Sequence, residues 1–172
     1  MARHNIGVAI ALPEPFQSQL QGWRELLGDP AAASIVPHVT LLPPTAVSTD
    51  QLPGIREHLT AVAACGRPFE VHLRGAATFR PVSPVVFVPL VAGISDCELL
   101  ERSVRSGPLG REPRFPYHPH VTVAHDLPED ALDRAYAALA PYEARFPVAS
   151  FQLFEQDAAD RWVVRQDYLL AG

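Results

Sequence analysis

Pro37-His38-Val39-Thr40 and Pro119-His120-Val121-Thr122 are the same tetrapeptide, placed about eighty residues apart. A repeated four-residue word is rare by chance in 172 residues, so the repeat indicates an internal duplication. Each copy runs on into apolar residues, Leu41-Leu42 and Val123-Ala124, which predicts a short strand rather than a helix. Side chains alternate faces along a strand. His38 and Thr40 therefore share one face while Val39 and Leu41 share the other, and His120/Thr122 against Val121/Val123 repeat the arrangement. Two such strands bury their valines and present an imidazole beside a hydroxyl, giving a candidate site of two equivalent halves.

The rest of the chain supplies elements around these strands. Asn5 to Leu12 alternates as a strand, and Phe16, Leu20, Trp23 and Leu27 fall at helical spacing before Gly28-Asp29-Pro30. Leu52, Ile55, Leu59 and Val62 predict a second amphipathic helix. Phe69 to Arg74 reads as a half-buried strand, with His72 on its polar side, and Pro84 to Val91 as a more buried one. Ser95-Asp96-Cys97-Glu98 fits a capping box opening a third helix to about Arg105. An irregular stretch from Gly107 to about Pro116 precedes the second motif. A fourth helix follows Asp126 and Pro128, with Leu132, Ala135, Tyr136 and Leu139 as its apolar face. Two terminal strands, around Phe146–Phe154 and Trp162–Leu170, flank a polar turn at Asp157–Asp160. The expectation is an α+β fold of short antiparallel strands, organised as one domain over residues 1–172.

Composition narrows the function. No 18-residue apolar run is present, and the first residues lead straight into strand alternation rather than a secretory leader. Cys65 and Cys97 form no redox or ligand motif, so the expected setting is cytoplasmic and reduced. The basic residues are all arginine, a bias matched by abundant Ala and Pro, so a single arginine is a weak functional signal. A net charge of −5 argues against a broad grip on long nucleic acid, while one RNA end or a small anion remains compatible.

A pair of His-x-Thr strands at this separation resembles the 2H phosphoesterase superfamily, and within it the bacterial 2′-5′ RNA ligase family, also described as RNA 2′,3′-cyclic phosphodiesterases. The resemblance covers nearly the whole chain, including Gly75-Ala76-Ala77-Thr78-Phe79 and Tyr117-His118-Pro119-His120. It implies two pseudo-symmetric lobes of antiparallel strands with outer helices, enclosing a central cleft. It also implies that His38, Thr40, His120 and Thr122 occupy the four catalytic positions, with no cofactor. Many relatives carry arginine where His125 stands here.

The chemistry agrees with those residue types. Opening a cyclic phosphodiester takes a proton from water and delivers one to the departing ribose oxygen. Two imidazoles can serve as base and acid, and two threonine hydroxyls can donate to the non-bridging oxygens. The expected assignment is His120 as base and His38 as acid. For substrate binding the expectations are His118, Tyr117, Arg114 and Phe79. Phe79, Phe115 and Tyr117 could each stack on a base or simply pack the core, and Arg111 and Arg114 could form a phosphate rim or a solvated surface. His118, His120 and His125 do not make a metal set, because His125 falls on the opposite strand face. The expected partner is a small cyclic nucleotide or an RNA 3′ end, with no membrane and no stable protein partner. Open alternatives are 2′-5′-linked oligonucleotides, a cyclic phosphate of ADP-ribose, or a non-catalytic module that binds nucleotides or RNA ends.

Overall fold

The computed structural model describes residues 2–113 and 115–172. In chain order its elements are β1 (Arg3–Ala11), α1 (Phe16–Leu27), β2 (His38–Ser48), α2 (Leu52–Cys65), β3 (Phe69–Arg74), β4 (Ala77–Thr78), β5 (Val85–Ala92), α3 (Ile94–Val104), β6 (His120–His125), α4 (Glu129–Leu139), β7 (Glu143–Val148), β8 (Ser150–Gln156) and β9 (Trp162–Leu169). Short 3-10 turns precede β2 and α2 and follow α3.

Two antiparallel sheets form the frame. The first has the order β2-β1-β8-β9. In the second, β5 pairs with β6 and with β3 and β4, and β3 pairs with β7. Each motif strand thus pairs within its own sheet: Thr40 of β2 with Ala9 of β1, and Thr122 of β6 with Phe87 of β5. The motif strands of the two sheets touch, which closes the halves around a central cleft. The fold is α+β, with helices against the sheets.

Alternation produces the burial that the motif requires. Val39, Leu41, Val121 and Val123 are at most 1% exposed, while His38, Thr40, His120 and Thr122 keep part of their surface open. Burying a branched aliphatic side chain is worth about 1.5–3 kcal/mol, so these four apolar residues fix the register that turns His and Thr outward. Gly28 ends α1 in the left-handed conformation (φ 79°), and the Asp29 carboxylate then accepts from the Ala31 N–H to cap the turn that follows.

Four local expectations change. The strand of the first motif is long rather than short: β2 runs through Pro43 and Pro44 to Ser48, and a register shift against β1 between the Val8–Leu42 and Ile6–Thr45 pairs leaves both prolines out of the ladder. The region around Phe146–Phe154 is two strands, β7 and β8, which belong to different sheets and hinge at Ala149. The capping box at Ser95 does not form. The helix begins one residue earlier at Ile94, behind Gly93 in the left-handed conformation (φ 87°), so Ser95 and Asp96 lie inside its first turn. His72 is buried at 8% exposure, where its Nε2–H donates to Glu143 Oε1 at 2.7 Å across the β3–β7 ladder. A register irregularity between His72 and Leu73 interrupts the alternation there.

Candidate active site

Each motif histidine is oriented by the same local device. His38 Nδ1 lies 2.7 Å from the Val36 carbonyl oxygen, and His120 Nδ1 lies 2.6 Å from that of His118. A carbonyl oxygen only accepts, so this contact assigns the proton of each neutral ring to Nδ1 and leaves Nε2 with a free lone pair. The intervening Pro37 and Pro119 have fixed φ and contribute no competing donor. Identical sequence therefore yields two identically tethered imidazoles, on strands that touch.

Around His38 the surroundings are deep and charged. His38, Thr40, Thr122 and His125 line a cavity of about 460 Å³, which extends past Phe154 and Trp162. Arg24 and Asp29, 3% and 4% exposed, form part of its wall, with Arg24 Nε 3.6 Å from Asp29 Oδ2. Burial lowers the His38 pKa to about 4, against the opposing effect of the Val36 hydrogen bond; the positive Arg24 and the neighbouring His120 lower it further. His38 is accordingly neutral at physiological pH.

Around His120 the surroundings are aromatic. Phe79 meets the His120 ring edge-on at 5.1 Å between centroids, and Phe87 lies at 5.0 Å. The exposed His118 packs on the same two phenylalanines at 5.6 and 5.4 Å. Burial lowers the His120 pKa as well, offset by its bond to the His118 carbonyl, and the nearby His118 ring adds a smaller downward push.

The remaining expected substrate contacts divide. Phe79 and His118 stand beside His120. Tyr117 is half-buried against the core, with its hydroxyl donating to the Thr40 carbonyl at 2.8 Å, so it straps the two halves together. Arg114 lies outside the described residues. Arg111 is exposed, and Arg80 is engaged by Glu129 and Asp133 at 2.9 and 2.8 Å. His125 ends β6 at the cavity, with Nε2 3.3 Å from the carboxylate of Asp126, a residue in the left-handed conformation (φ 54°). Among the described residues, no group of three His, Cys, Asp or Glu side chains has metal-binding geometry. Sequence reasoning passed over Arg24 and Asp29. The available signal was position: Arg24 follows Leu20 by four and precedes Leu27 by three, which places a charge on the inward face of α1.

The chain and its fold find counterparts among known proteins. The 2′-5′ RNA ligase superfamily profile matches residues 12–160. The chain belongs to that superfamily. Proteins provisionally named phosphoesterases, from Bacillus thuringiensis and Geobacillus kaustophilus, are 27% and 26% identical to it, each over 96% of both chains. Crystal structures of Escherichia coli LigT share the fold. The complex with 3′-AMP superposes with a TM-score of 0.77 at 21% identity, covering 99% of this chain and 100% of that one. The NADP+ complex gives 0.74 at 22%, with the same coverage. Membership places this chain among the 2H phosphoesterases. Among the described residues no helix is long and apolar enough to cross a membrane.

Proposed function

We propose that the protein is a metal-independent phosphodiesterase that opens 2′,3′-cyclic phosphates on RNA ends or small nucleotides, with both halves of the chain acting as one domain. The observation that carries this reading is the pair of imidazoles, each tethered through Nδ1 to a backbone carbonyl, on motif strands in contact. Such tethers leave each Nε2 lone pair free, and in the proposed mechanism the two rings transfer protons on opposite sides of one phosphorus.

In hydrolysis, His120 Nε2 accepts a proton from water as the water oxygen bonds to phosphorus. The bond from phosphorus to one ribose oxygen breaks, and protonated His38 delivers its Nε2 proton to that oxygen. One proton is taken and one given, so the pair is reset by exchange with solvent. The Thr40 and Thr122 hydroxyls donate to the non-bridging oxygens as charge accumulates. Burial favours the neutral form of both rings. The proton on His38 is therefore taken up with the substrate, whose phosphate charge offsets the cost of a buried cation. His118 and Phe79, beside His120, offer ring faces or edges to an unpaired base, while Tyr117, bonded to the Thr40 carbonyl, is proposed as a further contact. Arg114 remains a proposed phosphate contact on sequence grounds.

The test is product formation from 2′,3′-cyclic AMP and from a short RNA ending in a 2′,3′-cyclic phosphate, with excess EDTA present. Turnover by the wild type, lost on His38→Ala and on His120→Ala, is expected. Undiminished turnover in the double variant would sink the two-histidine mechanism. A panel including 2′-5′-linked oligonucleotides and a cyclic phosphate of ADP-ribose separates substrates that share this chemistry. Binding without turnover, indifferent to either substitution, would identify a non-catalytic module.

A further inference from the structure

The two motif copies differ in what holds the carbonyl that holds the histidine. On the His38 side, the Val36 carbonyl lies between two tethered neighbours. The Ile35 carbonyl accepts from an Arg24 terminal guanidinium nitrogen at 2.6 Å, and the Pro37 carbonyl accepts from the Leu12 N–H at 3.1 Å. The Arg24 side chain is itself fixed by Gln21 Oε1 at 3.1 Å and faced by Asp29. Asp29 in turn caps the turn over Pro30–Ala33 that leads to Ile35. Arg24 Nε and Asp29 Oδ2 are buried with no hydrogen-bond partner, so the pair is not explained as an optimised ion pair. Around the His118 carbonyl no buried arginine plays this part among the described residues.

We propose that Arg24 is a positioning residue for the first motif: through the Ile35 carbonyl it immobilises the Val36 carbonyl and so holds His38 in its Nδ1–H form, with Nε2 aimed into the cleft. Its catalytic consequence rests on the function proposed above, but the positioning itself does not. The guanidinium also bears on protonation. The charged and titratable groups around His38 are Arg24 and Asp29 from α1 and its C-terminal turn, and His120 and His125 from β6. From β8, beyond β1 in the same sheet, Phe154, which is uncharged, stands 6.5 Å from His38 between ring centroids. Arg24 is thus the one permanent cation in that set. It disfavours a second positive charge on His38 until an anion enters, which links the loading of the acid to arrival of the phosphate.

The experiment compares wild type, Arg24→Lys and Arg24→Gln/Asp29→Asn. The double change removes both buried charges together, so neither is left alone in the interior. The readout is the nitrogen NMR signature of the His38 ring, identified by its absence in His38→Ala, alongside kcat and KM on 2′,3′-cyclic AMP. In the wild type the ring should be the Nδ1–H tautomer. In the double variant the two tautomers should mix, with kcat lower by about 10²-fold and KM less affected. Arg24→Lys, which keeps the charge with a single-point donor, should recover part of that loss. An unmixed Nδ1–H tautomer with kcat near the wild-type value in the folded double variant would overturn the proposal. Where the double variant does not fold, Arg24→Lys decides alone: an unchanged tautomer and kcat there overturn it too. Failure of every substrate to turn over, with the tautomer mixing as expected, would fault the proposed function and leave the positioning role standing.

Discussion

The two copies of Pro-His-Val-Thr share a strand, a register and a tether, but they live in different neighbourhoods. His38 opens onto a deep cavity walled by a buried arginine and aspartate. His120 is ringed by Phe79, Phe87 and an exposed His118. The two copies each keep an oriented imidazole and a hydroxyl, the groups that the proposed chemistry needs twice, while packing has made one side electrostatic and the other aromatic. The halves are equivalent in motif and unequal in charge, and on the function proposed above that inequality would separate a ring that gives a proton from one that takes it.

Replacing either histidine by alanine tests this division most severely. Each loss should cost about 10²–10⁴-fold in kcat, and the double variant should be scarcely worse than the poorer single one, because acid and base act as a unit. The pH dependence of kcat then assigns roles. With His120 as base, His120→Ala should flatten the acid limb, and His38→Ala the alkaline limb. The reverse pattern would exchange the two. Thr40→Val and Thr122→Val come next, at about 10²-fold each through lost donors to the phosphate oxygens. Equal losses would mean that the phosphate sits symmetrically between the halves, and unequal ones would show which half holds it.

Stability should report the same asymmetry. His38 has a folded-state pKa of about 4, below its ordinary 6.5, so the unfolded chain binds more protons between those values. The stability gained by keeping the ring neutral is complete above about pH 6.5 and is lost as pH falls towards 4. His120 shifts in the same direction. Urea unfolding of the wild type at pH 7 and pH 4.5 should differ by on the order of 2 kcal/mol from His38, and His38→Gln should remove that share. Loss of the same size in His38→Gln would place the pH sensitivity elsewhere. Glu155, whose carboxyl is held low by His4 and Arg165, loses its contribution only further into acid.

Much of this site is legible in the sequence because alternation is local. His38 and Thr40 share a face for the same reason that Val39 is buried, and no tertiary information is needed. Four helices are legible through their apolar stripes, although α3 starts one residue before its apparent capping box. The rest depends on contacts that sequence periodicity does not encode. That β7 and β8 belong to different sheets is decided at Ala149 by pairing partners far away in the chain. His72 reads as polar and exposed, but Glu143 from another strand lets it sit inside. Arg24 is hidden by a different effect: in a chain with arginine and no lysine, composition devalues each arginine, and only its place on the inward face of α1, with the burial that follows, singles this one out.

The smallest effect concerns the strap between the halves. The Tyr117 hydroxyl donates to the Thr40 carbonyl, joining the segment ahead of the second motif to the strand of the first. Burial pushes the phenol pKa well above its ordinary value, so the hydroxyl keeps its proton and remains a donor throughout the working pH range. Tyr117→Phe preserves the ring and its packing and removes one hydrogen bond, which should cost about 1 kcal/mol in urea unfolding. If the strap also sets how the two motif strands face each other, kcat should fall severalfold while KM barely moves, because Thr40 would be displaced relative to His120. The halves should still fold together, since their valines remain buried. A Tyr117→Phe protein that is less stable but has unaltered kcat would show that contact between β2 and β6 alone aligns the two copies, with Tyr117 contributing only stability.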